Sequence, residues 1–212
     1  YDFIRFVGTT GDDPAEGYAW IPDTGDLRVG DKIAIVGAAG PMGQMHTMRA
    51  VTSDVPGISV VGTDLSDERL AGLKAVVGPV AEKRGVPLSI INTSVTPLEY
   101  GYTHITCLVP VPALVAGAVD LAAEGAIINA FAGIPAGTFG DFDLQGIIER
   151  HIFMLGTSGS DVSDMRTVLH KIEEGIIDTS ISLFAVTGMA GFGDAINSVI
   201  NRTSGGKIMV FP

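Results

Sequence analysis

Apolar runs alternate with helical patterns along most of this chain. Strands are predicted over 32–36, 58–63, 88–92, 104–109, 126–131 and 152–156, and helices over 42–53, 66–77, 112–123 and 163–174. Runs such as Ala126-Ile127-Ile128-Asn129-Ala130-Phe131 are almost continuously apolar, as strands covered on both faces must be. The alternation therefore implies an α/β fold built on a doubly wound parallel sheet, which we bound at residues 31–179. Residues 1–30 are rich in Gly, Asp and Pro without a clear period and read as a lead-in segment. Its end, Gly25-Asp26-Leu27-Arg28-Val29-Gly30-Asp31, is a turn into the first strand. Beyond Glu174 the pattern changes to a variable run over 180–189, a short helix over 194–201 and a closing strand over 207–211. Residues 180–212 thus form a C-terminal tail able to pair with something outside the sheet. One connection is awkward, because only eleven residues, Thr93 to Thr103, join the third and fourth strands where a crossover is needed. Either that crossover is extended or residues are missing.

The candidate chemistry sits where the first strand ends. Ile33-Ala34-Ile35-Val36-Gly37-Ala38-Ala39-Gly40-Pro41-Met42-Gly43 is an apolar strand that runs into three spaced glycines and opens a helix. Glycines there let the backbone turn sharply and approach a pyrophosphate, while the free N–H groups and positive dipole of the helix start face the anion. Asp64 closes a second apolar run and lies 21 residues after Gly43, where a carboxylate accepts the hydroxyls of an adenosine ribose. Strand, glycine turn, helix, strand and terminal Asp in one unit point to a Rossmann-type dinucleotide-binding domain over 31–179; the competing reading is a merely tight turn. Gly37, Gly40, Pro41, Met42 and Gly43 are the candidates to border the pyrophosphate. Asp64 favours NAD over NADP, since a 2′-phosphate would meet its charge. Arg69 either stacks on adenine or lies on a solvated helix face. Met42, Met45 and Met48 recur at helical spacing and read as core, with Met42 also near the ligand. Val109 ends the fourth strand, where crevices form in open parallel sheets, although Pro110 and Pro112 serve equally to start the next helix. Phe131-Ala132-Gly133 and Gly156-Thr157-Ser158 end later strands on the same edge. Arg202 either reaches a cofactor phosphate or satisfies carbonyls at a helix end.

Composition narrows the class. With 212 residues, 46% of them hydrophobic and 17% charged, the chain supports one sizeable globular core. A formal charge of −11 without any basic run argues against nucleic acid or an anionic membrane as partner. Cys107 is the single cysteine, so no disulfide framework and no multi-cysteine zinc site forms, which fits a reducing, cytoplasmic setting. It lies in an apolar strand and reads as an inert thiol, and His46 reads as a partly exposed helix residue rather than a general base. No apolar stretch reaches the length of a membrane span, and the amino terminus lacks a signal-peptide pattern. The chain starts at Tyr1 without an initiator Met, as a processed, excised or incomplete sequence does.

Several segments together resemble the cofactor-binding domain of medium-chain, zinc-type alcohol or polyol dehydrogenases, over most of residues 25–212. They are the lead-in turn 25–31, the glycine turn, Gly62-Thr63-Asp64-Leu65-Ser66-Asp67-Glu68-Arg69-Leu70, Phe131-Ala132-Gly133-Ile134-Pro135, Gly156-Thr157-Ser158-Gly159-Ser160, and Gly205-Gly206-Lys207-Ile208-Met209-Val210-Phe211-Pro212. The Phe-Ala-Gly and Gly-Thr-Ser-Gly segments are most similar to the sorbitol dehydrogenase and sorbose-phosphate reductase branch. Glycines at 37, 40 and 43, in place of Gly-x-Gly-x-x-Gly, are similar instead to the quinone reductase branch. The resemblance implies hydride transfer between NAD, less readily NADP, and a small alcohol, polyol or sugar, in a homo-oligomer. It also implies that backbone groups of Phe131, Ala132, Gly133 and Thr157 meet the nicotinamide carboxamide. Family members hold a catalytic zinc with Cys, His and acidic ligands in an amino-terminal barrel. The chain contains no Gly-His-Glu, no cysteine cluster and only four histidines, at unrelated positions. No catalytic or metal-ligating residue is therefore assigned, zinc is expected only in a catalytic domain not shown, and the tail is expected to pack on that domain. The expected chain binds cofactor and is inactive alone. A non-catalytic dinucleotide-binding module stays open, as does an S-adenosylmethionine-dependent methyltransferase, although the late Phe-Ala-Gly and Gly-Lys-Ile segments argue against the latter.

Overall fold

The computed structural model describes residues 4–8, 10–13, 15–19, 21–156, 161–201 and 203–212. Two short elements, β1 (Arg5–Val7) and α1 (Glu16–Ala19), precede the first predicted strand, β2 (Lys32–Val36). The chain continues through α2 (Pro41–Val51), β3 (Ser59–Asp64), α3 (Asp67–Arg84), β4 (Leu88–Asn92), β5 (Tyr102–Cys107), α4 (Pro112–Leu121) and β6 (Ala122–Ala130). It ends with α5 (Leu144–Glu149), β7 (Phe153–Gly156), α6 (Val162–Glu173), β8 (Leu183–Gly188), α7 (Phe192–Ile200) and β9 (Lys207–Phe211).

Seven strands form one sheet in the order β1-β7-β6-β5-β2-β3-β4. Strands β2 to β7 are mutually parallel, and β1 alone runs antiparallel, against β7. This is the doubly wound Rossmann-type order, with its reversal between β2 and β5. Ile33, Ala34 and Ile35 are at most 1% exposed, because α2 and α3 cover one face and α4 the other. Continuous apolar strands are the consequence of that double cover.

The crossover from β4 to β5 is the extended one of the two alternatives. Nine residues, 93–101, carry it, and Leu98 packs into the core on the way. Three strand spacings across, roughly 14 Å, and one strand length back, roughly 17–20 Å, amount to roughly 23 Å, and nine extended residues reach about 30 Å. No helix is required.

Other boundaries differ from expectation. The lead-in is not uniformly irregular: Arg5, Phe6 and Val7 pair with Leu155, Met154 and Phe153. Its last turn also clamps the lower ends of three strands. Arg28 donates from Nη1 to the Gly125 carbonyl at 2.9 Å and from Nη2 to the Thr103 carbonyl at 2.9 Å. Buried Asp31 accepts from the Arg28 N–H at 2.6 Å and from the Thr103 hydroxyl at 2.7 Å. Helix α3 passes Val77 and runs 18 residues, through Pro79, until Gly85 at φ 66° ends it. The predicted variable run contains β8, which pairs in parallel with β9 as a separate two-stranded sheet. Phe184, Val186, Met209 and Phe211 form an exposed apolar face on that pair. Among the described residues no helix is long and apolar enough to cross a membrane.

Candidate functional site

The turn from β2 into α2 lies at the carboxyl end of the sheet, beside the reversal of strand order. Gly37 sits at φ 84°, a left-handed conformation that favours glycine. Its N–H and that of Ala38 both donate to the Thr63 carbonyl, at 3.0 and 2.7 Å, and tie the turn to β3. A Cβ at Gly37 would collide with the Val109 side chain, so Val109 packs directly on the turn. A Cβ at Gly43 would collide with the Gly37 carbonyl and the Ala38 backbone, so glycine is what allows α2 to approach β2. Gly40 differs from both. It is the N-cap of α2, offers no side-chain cap, and a Cβ there would meet only Arg69 Nη2 at 3.3 Å and the Gly37 carbonyl oxygen at 3.7 Å. Pro41 opens the helix with no N–H to satisfy, and the first helical bond runs from the Gln44 N–H to the Gly40 carbonyl at 2.9 Å. The N–H groups of Met42 and Gly43 belong to the first turn, where a helix has no internal acceptor.

The methionine stripe is corrected by the structure. Met48 is buried, but Met42 and Met45 are each 40% exposed. The face of α2 toward the sheet consists of Gly43, Thr47, Met48, Ala50 and Val51, mostly small residues that allow close approach.

Asp64 ends β3 with its side chain 9% exposed. Oδ1 accepts the N–H groups of Leu65 at 2.9 Å and Ser66 at 3.4 Å, and Oδ2 lies 3.4 Å from Arg69 Nη2. Arg69 thus leans from the first turn of α3 over the crevice toward Gly40, rather than standing on a purely solvated face. Asn92, the partner of Asp64 on β4, donates to Asp67 at 2.8 Å. Neither Asn92 nor Asp67 stood out in the sequence; strand register alone reveals them.

Across the reversal, the N–H groups of Phe131 and Ala132 both donate to the Cys107 carbonyl, at 3.1 and 3.0 Å. This bend carries Phe131, Ala132 and Gly133 beyond the end of β6 on the same sheet edge as the glycine turn. The Phe131 ring meets the His46 imidazole edge-on, with centroids 4.6 Å apart. Burial, with Arg49 and His104 adding to it, depresses the His46 pKa to about 4, so the ring is neutral near pH 7. Burial also pushes the Cys107 thiol up to about 12, in keeping with an inert core cysteine. His104 is lowered by burial and holds the Gly25 carbonyl at 3.3 Å through Nε2. Thr157 and Arg202 lie outside the described residues.

Gly37, Gly40, Pro41, Met42, Gly43, Asp64, Arg69 and Val109 thus lie together at the carboxyl end of the sheet, with Phe131, Ala132 and Gly133 at the adjoining strand end. Among the described residues no group of three His, Cys, Asp or Glu could hold a metal ion.

No family model matches the chain. The uncharacterized protein YggP of Escherichia coli K12 is 28% identical over 87% of this chain and 46% of its own length. Mannitol-1-phosphate 5-dehydrogenase of Aliivibrio fischeri is 26% identical over 88% of this chain and 47% of its own. The chain therefore spans about half the length of the curated relatives it matches. Among solved structures, L-idonate 5-dehydrogenase of E. coli K-12 has a TM-score of 0.69 at 15% identity, over 87% of this chain and 51% of that one. A short chain alcohol dehydrogenase, rspB, of E. coli CFT073, complexed with NADH, has a TM-score of 0.69 at 18% identity, over 88% of this chain and 54% of that one. The chain shares its fold with these dehydrogenases, with 2R,3R-butanediol dehydrogenase of Bacillus subtilis and with a zinc-binding dehydrogenase, gutB, of Clostridium scindens.

Proposed function

We propose that this chain is the cofactor-binding part of an oxidoreductase that moves hydride between NAD and an alcohol, polyol, sugar or sugar phosphate. One observation carries the reading: an uncapped helix start behind a glycine turn and a nearly buried Asp64 face the same crevice at the strand-order reversal. In this reading Gly37, Gly40, Pro41, Met42 and Gly43 border the pyrophosphate. Asp64 takes the adenosine ribose hydroxyls, and Arg69 leaves it to lie over the adenine. Val109 flanks the turn, and the backbone of Phe131, Ala132, Gly133 and Thr157 faces the nicotinamide carboxamide. The bound dinucleotide supplies the hydride chemistry.

No catalytic residue is assigned within these 212 residues, and the substrate class follows from the names of the relatives. Catalysis and zinc belong, in this proposal, to a further domain, with the open apolar face of Phe184, Val186, Met209 and Phe211 as a surface it would cover. We place the intact protein in the cytoplasm as a homo-oligomer. A non-catalytic dinucleotide-binding module is the second reading.

Calorimetric titration with NADH, NADPH and S-adenosylmethionine tests the proposal. NADH is expected to bind at least about tenfold more tightly than NADPH, and S-adenosylmethionine not at all. Asp64→Ala should cost NADH about 1–2 kcal/mol, the worth of charge-assisted hydrogen bonds. Equal or reversed preference between NADH and NADPH would remove the role of Asp64. Binding of S-adenosylmethionine alone would replace the whole reading.

A further inference from the structure

We infer that Asp67 is a second specificity-determining carboxylate at the ribose corner, sharing with Asp64 the rejection of a 2′-phosphate. The inference rests on the dinucleotide reading and deepens it. Asp64 and Asn92 are register partners at the ends of adjacent parallel strands, which puts their backbones about 4.8 Å apart. Asn92 Nδ2 donates to Asp67 Oδ1 at 2.8 Å. Its amide oxygen in turn accepts the Ser94 N–H at 3.0 Å and the Ser94 hydroxyl at 2.6 Å. The bonds to Asp67 and to the Ser94 N–H fix the orientation of the amide, since a flipped Asn92 would lose both. Asp67, although exposed, is therefore tied to the strand that adjoins Asp64.

Charge then decides the consequence. Asp67 and Glu68 are both in the first turn of α3, while Arg69, the cation of that turn, lies against Asp64. Neutralising Asp64 thus leaves a carboxylate pinned nearby. A 2′-phosphate carries close to two negative charges at pH 7, and at about 10 Å through water each carboxylate repels it weakly but measurably. Removing the charge of Asp67 should improve NADPH binding roughly two- to fivefold at low salt, and the gain should fade in 1 M salt, where the screening length is about 3 Å. Asp64 alone is not the whole selectivity filter.

The test measures NADH and NADPH affinity of the full chain for Asp64→Asn, Asp67→Asn and the double variant, at about 20 mM and 1 M NaCl. Asn at position 67 keeps an oxygen for Asn92 Nδ2, and Asp67→Ser provides a second variant if that protein fails to fold. The expected result is an NADPH gain for Asp67→Asn with NADH affinity changed less than about twofold. The same gain should recur on top of Asp64→Asn, and it should collapse at high salt. A merely structural role would move both dinucleotides equally, and that outcome overturns the inference. So does an unchanged NADPH affinity while NADH binds normally. If the unaltered chain binds neither dinucleotide, the dinucleotide reading itself falls and takes this inference with it.

Discussion

Two glycines three residues apart should respond to the same substitution in opposite ways. At Gly40 the backbone is extended, at φ −78° and ψ 168°, a conformation open to any L residue. An added Cβ there would touch one flexible tip, Arg69 Nη2 at 3.3 Å, and the Gly37 carbonyl oxygen at 3.7 Å. Alanine is a poorer N-cap than glycine, which costs several tenths of a kcal/mol or more, while the stiffer unfolded chain returns about 0.4–1 kcal/mol. Gly40→Ala should therefore stay within about 1 kcal/mol of the unaltered stability, a shift of no more than about 4 °C for a domain of this size. Its methyl group nevertheless occupies the ground a pyrophosphate must approach. NADH affinity should fall roughly ten- to a hundredfold, or about 1.4–2.8 kcal/mol. At Gly43 the Cβ would collide with the Gly37 carbonyl and the Ala38 backbone, which cannot rotate away. Gly43→Ala must push α2 off β2, and overpacking of that kind costs about 1–3 kcal/mol or more. Thermal unfolding of both variants, with and without NADH, combined with calorimetric titration, separates the two effects. The reasoning fails if Gly40→Ala binds NADH normally, or if Gly43→Ala is as stable as Gly40→Ala.

Three further outcomes follow from the buried polar groups. His46, with its folded pKa near 4 against an unfolded value near 6.5, takes up a proton more readily when unfolded. Its neutral form therefore supports stability fully above about pH 6.5, and up to roughly 3 kcal/mol is lost as pH falls toward 4; urea titrations across that range should flatten in His46→Leu. Asp31→Ala removes the acceptor of the Arg28 N–H and of the Thr103 hydroxyl and should cost about 1–3 kcal/mol in denaturant unfolding. NADH affinity should not change, because that clamp grips the opposite ends of the strands, and a matching loss of affinity would refute the separation. Cys107, with its thiol pushed up to about 12, should resist alkylation at pH 8 in the folded protein and react only at the rate of unfolding; rapid labelling would contradict its burial.

The parts of this fold that could be read from sequence are those whose burial is two-sided. Strand β2 matches its predicted range, 32–36, because a strand covered on both faces has an apolar interior; β4 matches 88–92 as well, although it is an edge strand with Ser89 exposed. Elements held by something other than an apolar stripe escaped. β1 is three residues whose definition is pairing with β7, and α5 is six residues capped by Asp143, whose side chain accepts the Gly146 N–H at 2.9 Å. Helix α3 carries Gly72, Gly78 and Pro79, poor helix formers that tertiary packing overrides. The methionine stripe misled for the opposite reason: residues at helical spacing were assigned to the core, while the sheet required small residues under α2.

The crevice divides along the same line. Glycine positions and a strand-terminal Asp are local signals, since each answers a constraint within about thirty residues, and they mark the turn and Asp64 directly. The lean of Arg69 toward Asp64, the packing of Val109 on Gly37 and the pinning of Asp67 by Asn92 are products of strand order and register, joining residues from different crossovers. In the proposed reading, the phosphate site would therefore be built of residues that sequence can nominate, whereas discrimination at the ribose would involve a neighbour that the register of β3 and β4 brings into place. It follows that exchanging the glycine turn alone should alter affinity for both dinucleotides together, and that preference between them should move when Asp64 at the end of β3 or Asp67 in the first turn of α3 is changed.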